Sequence, residues 1–127
     1  MAEITMTKDR VAGLTVLTVT GEVTGREIVD EIARYFTGEP TKHILWDCCE
    51  AGLKGLTASD VKVIVDETRR HTHLRPGGKT ALFTCADVAY GIGRMIEQTL
   101  NATDSAVEFM SFRDRAAALA WLGAGEA

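Results

Sequence analysis

This sequence has no apolar run long enough to cross a bilayer. A membrane helix needs about 20 consecutive apolar residues, and the uninterrupted runs here are only a few residues long. No membrane insertion is expected. The opening stretch, MAEITMTKDR, has no apolar segment of signal-peptide type, so a cytoplasmic, soluble protein is expected. An excess of positive charge is also missing. Lys and Arg number 14 against 18 Asp and Glu, a formal net charge of −4. Non-specific nucleic-acid binding needs cations to neutralise phosphates, so no nucleic-acid partner is expected. Cysteine is scarce, and Cys48, Cys49 and Cys85 are odd in number and show no C-x-x-C spacing. They read as three reduced, mostly buried thiols rather than metal ligands or disulfides. Repeats, low-complexity tracts and linkers are absent, and 127 residues make one domain spanning 1–127.

What is present is a clear alternation of strand and helix patterns. Residues 2–8 and 13–21 are rich in Thr, Val, Ile and Leu around the polar turn KDRVAG, which predicts a hairpin. Residues 26–37 carry Ile28, Val29, Ile32, Ala33 and Phe36 at helical spacing, with Gly38 and Pro40 as stop signals. Residues 43–48 form a near-continuous apolar run, the mark of a strand buried on both faces. A helix is predicted over 58–72, with Val61, Ile64, Val65 and Thr68 inward and a Thr57/Asp60 capping box at its start. Pro76, Gly77 and Gly78 then force a turn before a short central strand at 80–84. A third helix at 87–100 is expected to point Val88, Ile92, Met95, Ile96 and Leu100 inward. A strand follows at 106–112. Asp114 caps a last helix with Ala116, Leu119, Ala120 and Leu122 inward, ended by Gly123. The order is β-β-α-β-α-β-α-β-α. That is an α/β fold with a mixed, mostly parallel sheet and helices packed on it.

The segment 44–68 is the most informative, because ligands and switches in α/β proteins gather at strand-to-helix junctions. Thr57 reads as a helix cap that a kinase can also modify, and Ser59 is a weaker version of the same idea. Asp47 ends the buried strand; with no acid, His or Lys placed beside it by the sequence, a structural role is favoured over a catalytic one. Trp46 reads as core or interface. His71-x-His73 lies among Arg69, Arg70 and Arg75 and reads as a solvated basic helix end, since residues two apart do not share a helix face. PGGKT lacks the spacing and context of a phosphate loop, and YGIGR (90–94) lacks the third glycine of a dinucleotide fingerprint. Its glycines are expected to permit close helix packing. Cys85, ahead of the third helix, reads as an inert thiol. No catalytic residue, metal site or cofactor is expected.

Three stretches carry a family resemblance: VTGEVTGREIVDEI (19–32), HILWDCCEAGLKGLTASDV (43–61) and FMSFRDRAAALAWL (109–122). They are similar to the turn into the first helix, the central strand with the loop into the second helix, and the closing strand and helix of the SpoIIAA-like family of small bacterial proteins. These resemble the STAS-type anti-sigma-factor antagonists and also the lipid-binding CRAL-TRIO architecture. The resemblance covers nearly the whole chain. It implies a non-enzymatic regulatory or protein-interaction module. The alternative is a carrier or sensor that binds a small apolar or lipid ligand in a CRAL-TRIO-like pocket. STAS regulators place an Asp-Ser pair, phosphorylated at Ser, where the second helix begins. The matching positions here are Gly55, Leu56 and Thr57, so Thr57 supplies the hydroxyl while the Asp is missing. Asp47 and Gly55 mark the strand end and loop of that candidate site. A homodimer through the Thr-rich N-terminal edge strand or an exposed helix face is also expected, and Trp121 is expected to be substantially buried.

Overall fold

The computed structural model describes residues 2–102 and 106–123; the remainder of the expected 1–127 span lies outside the described residues. The elements are β1 (Glu3–Asp9), β2 (Leu14–Glu22), α1 (Gly25–Thr37), β3 (His43–Gly52), α2 (Ala58–His71), a 3-10 turn (Thr72–Leu74), β4 (Lys79–Phe83), α3 (Asp87–Asn101), β5 (Glu108–Phe112) and α4 (Arg115–Leu122). The predicted order of strands and helices is the order found.

The sheet runs β1-β2-β3-β4-β5. β1 pairs antiparallel to β2, with Asp9 opposite Leu14. The Asp9 carboxylate closes that turn by accepting from the N–H groups of Val11 and Ala12, each at 3.1 Å. Every later pair is parallel. From β2 onward each crossover steps one strand in the same direction. Right-handed connections that always step the same way put all their helices on one face. α1, α2 and α3 accordingly share one face, and α4 folds back to cover the other.

The two faces have separate cores. Under α4 lie Leu14, Leu45, Ala81 and Phe83 with Ala118 and Leu122. Under α1–α3 lie Leu17, Tyr35 and Ile44 at one end, and Val61, Val65, Leu100, Val107 and Phe109 at the other. Strand alternation sorts the residues: Leu45, Asp47 and Ala81 look toward α4, and Ile44, Trp46, Thr80 and Leu82 look toward the three-helix layer. A bulge interrupts β3. Thr18 pairs with Asp47 but Thr20 pairs with Glu50, so β3 holds one extra residue there. Cys48 therefore packs with the α1–α3 layer and Cys49 with the α4 layer.

Caps fix the helix starts. Thr57 and Asp60 form the expected capping box on α2, and Thr24 and Glu27 form a second one on α1 that was not anticipated. Asp114 caps α4, and Gly123 ends it in the left-handed region at φ +77°. The two sheet edges differ. On β5, Asn101 of α3 bonds both the N–H and the C=O of Phe109, and Glu97 accepts from the N–H of Ser111. That edge is covered by helix side chains, a standard protection. β1 forms the opposite edge.

Several inward assignments need correction. On α3, Val88 and Met95 are exposed, while Ala89, Gly93, Glu97 and Leu100 are buried. The helix is rotated because Glu97 turns inward to bond β5. On α4 it is Ala118, not Ala116 or Ala120, that is buried with Leu122, and Ala33 on α1 is exposed. Trp121 is half-buried rather than enclosed, tilted against Phe112 with ring centroids 5.5 Å apart and Lys79 Nζ 5.0 Å from its ring.

Candidate functional site

The start of α2 is open to solvent, with Gly55, Thr57 and Ser59 all exposed. Thr57 Oγ1 accepts from the N–H of Asp60 at 3.1 Å, and the Asp60 carboxylate accepts from the N–H of Thr57 at 2.9 Å. Asp60 also lies against the start of α1. A Cβ on Gly25 would stand 2.8 Å from the Asp60 side chain, so only glycine lets the two helix N-termini approach this closely. The expected control point thus sits where α1 and α2 meet. Gly55 is unconstrained, with open space where its Cβ would be.

Asp47 is not part of that surface. It faces the α4 layer, where one oxygen accepts from Arg115 Nε at 3.1 Å and the other from the N–H of Cys49 at 3.3 Å. Beside it the cysteine assignment fails. Cys49 and Cys85 form a disulfide across 36 residues, and Cys48 alone is free among the three. Cys85 is exposed rather than buried. The cause is tertiary: the bulge turns Cys49 to the α4 face, and the parallel β3–β4 register carries Cys85 alongside it. Burial, and next the charge of Asp47, push the Cys48 thiol up to about 12. Cys48 is thus protonated and unreactive near neutral pH. Arg113 bridges the same rim, donating to the Cys85 carbonyl at 3.2 Å and to Asp87 at 2.5 Å.

Between the sheet and the three-helix layer lies a mainly apolar cavity of about 90 Å³. Its walls include Leu17, Ile44 and Trp46 from the sheet, and Ile64, Ile96 and Leu100 from α2 and α3. α2 packs chiefly on α1 and α3 rather than on the strands, which leaves this gap beneath it. Arg75 and Thr84 are the two polar features that stand out in the lining. Arg75 is only 4% exposed. Its guanidinium donates to the carbonyls of Thr41, Lys42 and Lys79 and to Thr80 Oγ1 at 2.9–3.1 Å. Among the described residues no carboxylate pairs with it. Burial lowers its pKa to about 10, against a smaller opposing effect of Tyr35, so it remains a cation at neutral pH. Thr84 is 3% exposed, and its Oγ1 has no hydrogen-bond partner.

The basic run after α2 is therefore mixed. His73 is exposed, but His71 stacks on Phe36 with centroids 4.6 Å apart and meets Glu67 at 2.9 Å. Arg75, expected to be solvated, is buried. Among the described residues no group of three or more His, Cys, Asp or Glu is placed to hold a metal. In PGGKT, a Cβ on Gly78 would lie 2.2 Å from the Lys42 carbonyl oxygen, so the turn seats β4 tightly against the start of β3. In YGIGR only Gly93 packs closely, near Ser111 and Leu82; Gly91 faces open space. Arg75, Tyr35 and Thr84 escaped the sequence reading because nothing local marks a basic, aromatic or hydroxyl residue as cavity-lining.

No protein-family model matches the chain, and no curated protein matches it. Solved structures do. An uncharacterised protein with a SpoIIAA-like fold from Shewanella loihica is similar over 95% of this chain and 93% of its own, at 16% identity and a TM-score of 0.60. An anti-sigma factor antagonist from Mycobacterium paratuberculosis is similar over 97% of this chain and 95% of its own, at 13% identity and a TM-score of 0.68. At these identities the likeness speaks to the fold, and the chain has a five-stranded mixed sheet with four helices in the SpoIIAA-like, STAS-type arrangement.

Proposed function

We propose that this chain is a single-domain, non-enzymatic, cytoplasmic regulatory module that docks a protein partner through the surface where α1 and α2 begin. One observation carries the reading. On a fold shared with an anti-sigma factor antagonist, the exposed first turn of α2 presents Thr57 and Ser59 beside a tight inter-helix contact. Modification there has a mechanical consequence. A phosphate on Thr57 gains from the helix N-terminus, on the order of 1 kcal/mol, but it meets the Asp60 carboxylate and disrupts the capping box that Asp60 completes. Asp60 must then leave Thr57, and Asp60 is the residue packed on Gly25. The modification thereby loosens the α1–α2 junction and adds nearly two negative charges to the docking surface. Ser59 offers the charge without that disruption.

The test uses protein isolated from its host. Phosphopeptide mapping should find residues 53–61 modified, and Thr57→Asp should change which partner co-purifies. Unmodified peptides together with identical partners for wild type and Thr57→Asp would reduce Thr57 to a cap.

The cavity under α2 favours a second reading, a sensor or carrier for a small apolar ligand. The two readings are compatible, because α2 both roofs the cavity and carries Thr57. Association as a homodimer is part of the proposal. With β5 covered by Asn101 and Glu97, β1 is the edge left to pair with a second copy. Light scattering that returns the 13.8 kDa mass at high micromolar concentration would rule the dimer out.

A further inference from the structure

We infer that the cavity under α2 is a binding site for a small apolar carboxylic acid, preferably one with a second oxygen at its far end. The inference rests on the sensor reading above and names its ligand.

The geometry supplies a body and two anchors. Thr80, Leu82 and Thr84 project from successive inward positions of β4 and its extension, and all three line the cavity. Four residues of strand rise span roughly 13 Å, so the site is elongated along the sheet. Arg75 bonds Thr80 at one end, and the unpartnered Thr84 hydroxyl stands at the other. Between them the lining is Trp46, Leu82, Ile64 and Ile96.

Each anchor has a demand that the protein's own groups leave unmet. A guanidinium carries five N–H donors, and four of the Arg75 contacts are accounted for, all to neutral oxygens. They occupy four of the five donors and leave the charge without a counter-ion. A buried cation is retained most readily when an anion neutralises it, and a ligand carboxylate does so with a charge-assisted bond. Thr84 has the complementary deficit. A buried hydroxyl without a partner is costly, and an oxygen on the ligand removes the cost. An aliphatic chain between the two would rest on the apolar lining.

Volume sets the condition for entry. About 90 Å³ is less than the roughly 150 Å³ of an engineered apolar cavity that takes benzene. An eight-carbon acid therefore enters only if α2 moves outward. α2 packs chiefly on α1 and α3 rather than on the strands, and its N-terminus carries Thr57, so occupancy alters the docking surface.

The experiment reads Trp46 fluorescence in a Trp121→Phe background, which removes the tryptophan on the opposite face. The probes are octanoic acid, ω-hydroxyoctanoic acid and octanol. Octanoic acid should bind about tenfold or more tighter than octanol, and the ω-hydroxy acid tighter again. Thr84→Val should erase the second difference, and Arg75→Met the first. The comparison of acid with alcohol on otherwise wild-type cavity residues decides the matter even where Arg75→Met does not fold. Equal binding of acid and alcohol would overturn the acid assignment and leave the sensor reading standing. No binding of any probe, with no protection by octanoic acid of the α2 amides against hydrogen exchange, would overturn both.

Discussion

Reducing the Cys49–Cys85 disulfide should destabilise the fold by about 4 kcal/mol. The bond closes a loop of 36 residues, and the chain-entropy relation gives about 3.8 kcal/mol at room temperature for a loop of that length. The loop contains α2, the 3-10 turn and β4, so in the unfolded chain the crosslink restrains most of one crossover unit. In the folded chain reduction costs little, because β3 and β4 remain paired by their ladder. The effect therefore acts on the unfolded state. In the folded chain Cys48 does not exchange into the bond, since burial keeps its thiol protonated. The assay is urea unfolding with and without a non-thiol reductant. With a slope of about 2 kcal/mol per molar for a small domain, the midpoint should fall by roughly 2 M. Alkylation of the unreduced, unfolded protein should label one of its three cysteines. Three labelled cysteines and a midpoint indifferent to reductant would refute the crosslink. One labelled cysteine with an unchanged midpoint would refute the entropic account of its effect.

Other outcomes follow from single groups. Thr84→Val should raise the stability of the ligand-free protein by about 1–2 kcal/mol, because it replaces an unpaired buried hydroxyl with a methyl of similar size; a loss on denaturation would mean the hydroxyl is partnered. Thr57→Ala should cost about 1 kcal/mol and Thr57→Asp much less, since Asp also caps; equal losses in a melting experiment would contradict the capping geometry. His43 has its pKa lowered from the ordinary 6.5 by burial first and then by the charges of Lys42, Arg75 and Lys79, and its Nδ1 accepts from the N–H of Lys79. The unfolded state therefore binds the proton more readily, so stability holds above pH 6.5 and falls as pH drops through that value until folded His43 also protonates; His43→Asn should flatten this step in a pH series of unfolding curves. Trp121→Ala should cost about 2 kcal/mol, below the 3–5 kcal/mol of a fully enclosed tryptophan, and an unchanged denaturation midpoint would show that α4 contributes little.

Fold and site were legible to different degrees because they draw on different kinds of information. Each strand and helix follows from a local period, and the Thr57/Asp60 box follows from residues three apart, so both could be read directly. The face assignments on α3 went astray because a polar residue won the inward position: Glu97 is drawn in by the free N–H of Ser111, a partner 14 residues away, and hydrophobic spacing cannot anticipate that. The disulfide failed for a similar reason. Two cysteines far apart in sequence meet only once a bulge has re-aimed one of them and the strand register has delivered the other. The α1 capping box, by contrast, was present in the sequence as Thr24-x-x-Glu27 and obscured by placing the helix start at residue 26, one residue late.

The cavity is the furthest from anything a sequence displays, yet its origin is physical. Three crossovers that step in one direction stack α1, α2 and α3 on one face. The middle helix then sits against its two neighbours, and what fills the space below depends on side-chain size. α2 turns Ile64 and Thr68 toward that space, residues with no aromatic bulk, over a central pair of strands that offers Cys48, Leu82 and Thr84. Larger side chains at those positions would close the gap and fix α2 to the sheet. The decisive variant is therefore Ile64→Phe. It should fill part of the 90 Å³ and keep or raise stability, since the added apolar area lies against existing void rather than packed atoms. It should also weaken octanoic acid binding. If α2 couples ligand to partner, the same substitution should hold the Thr57 surface in one state, so that partner binding no longer responds to the acid. A filled cavity whose partner binding still responded to octanoic acid would separate the two roles of α2, and the docking surface would then need another source of control.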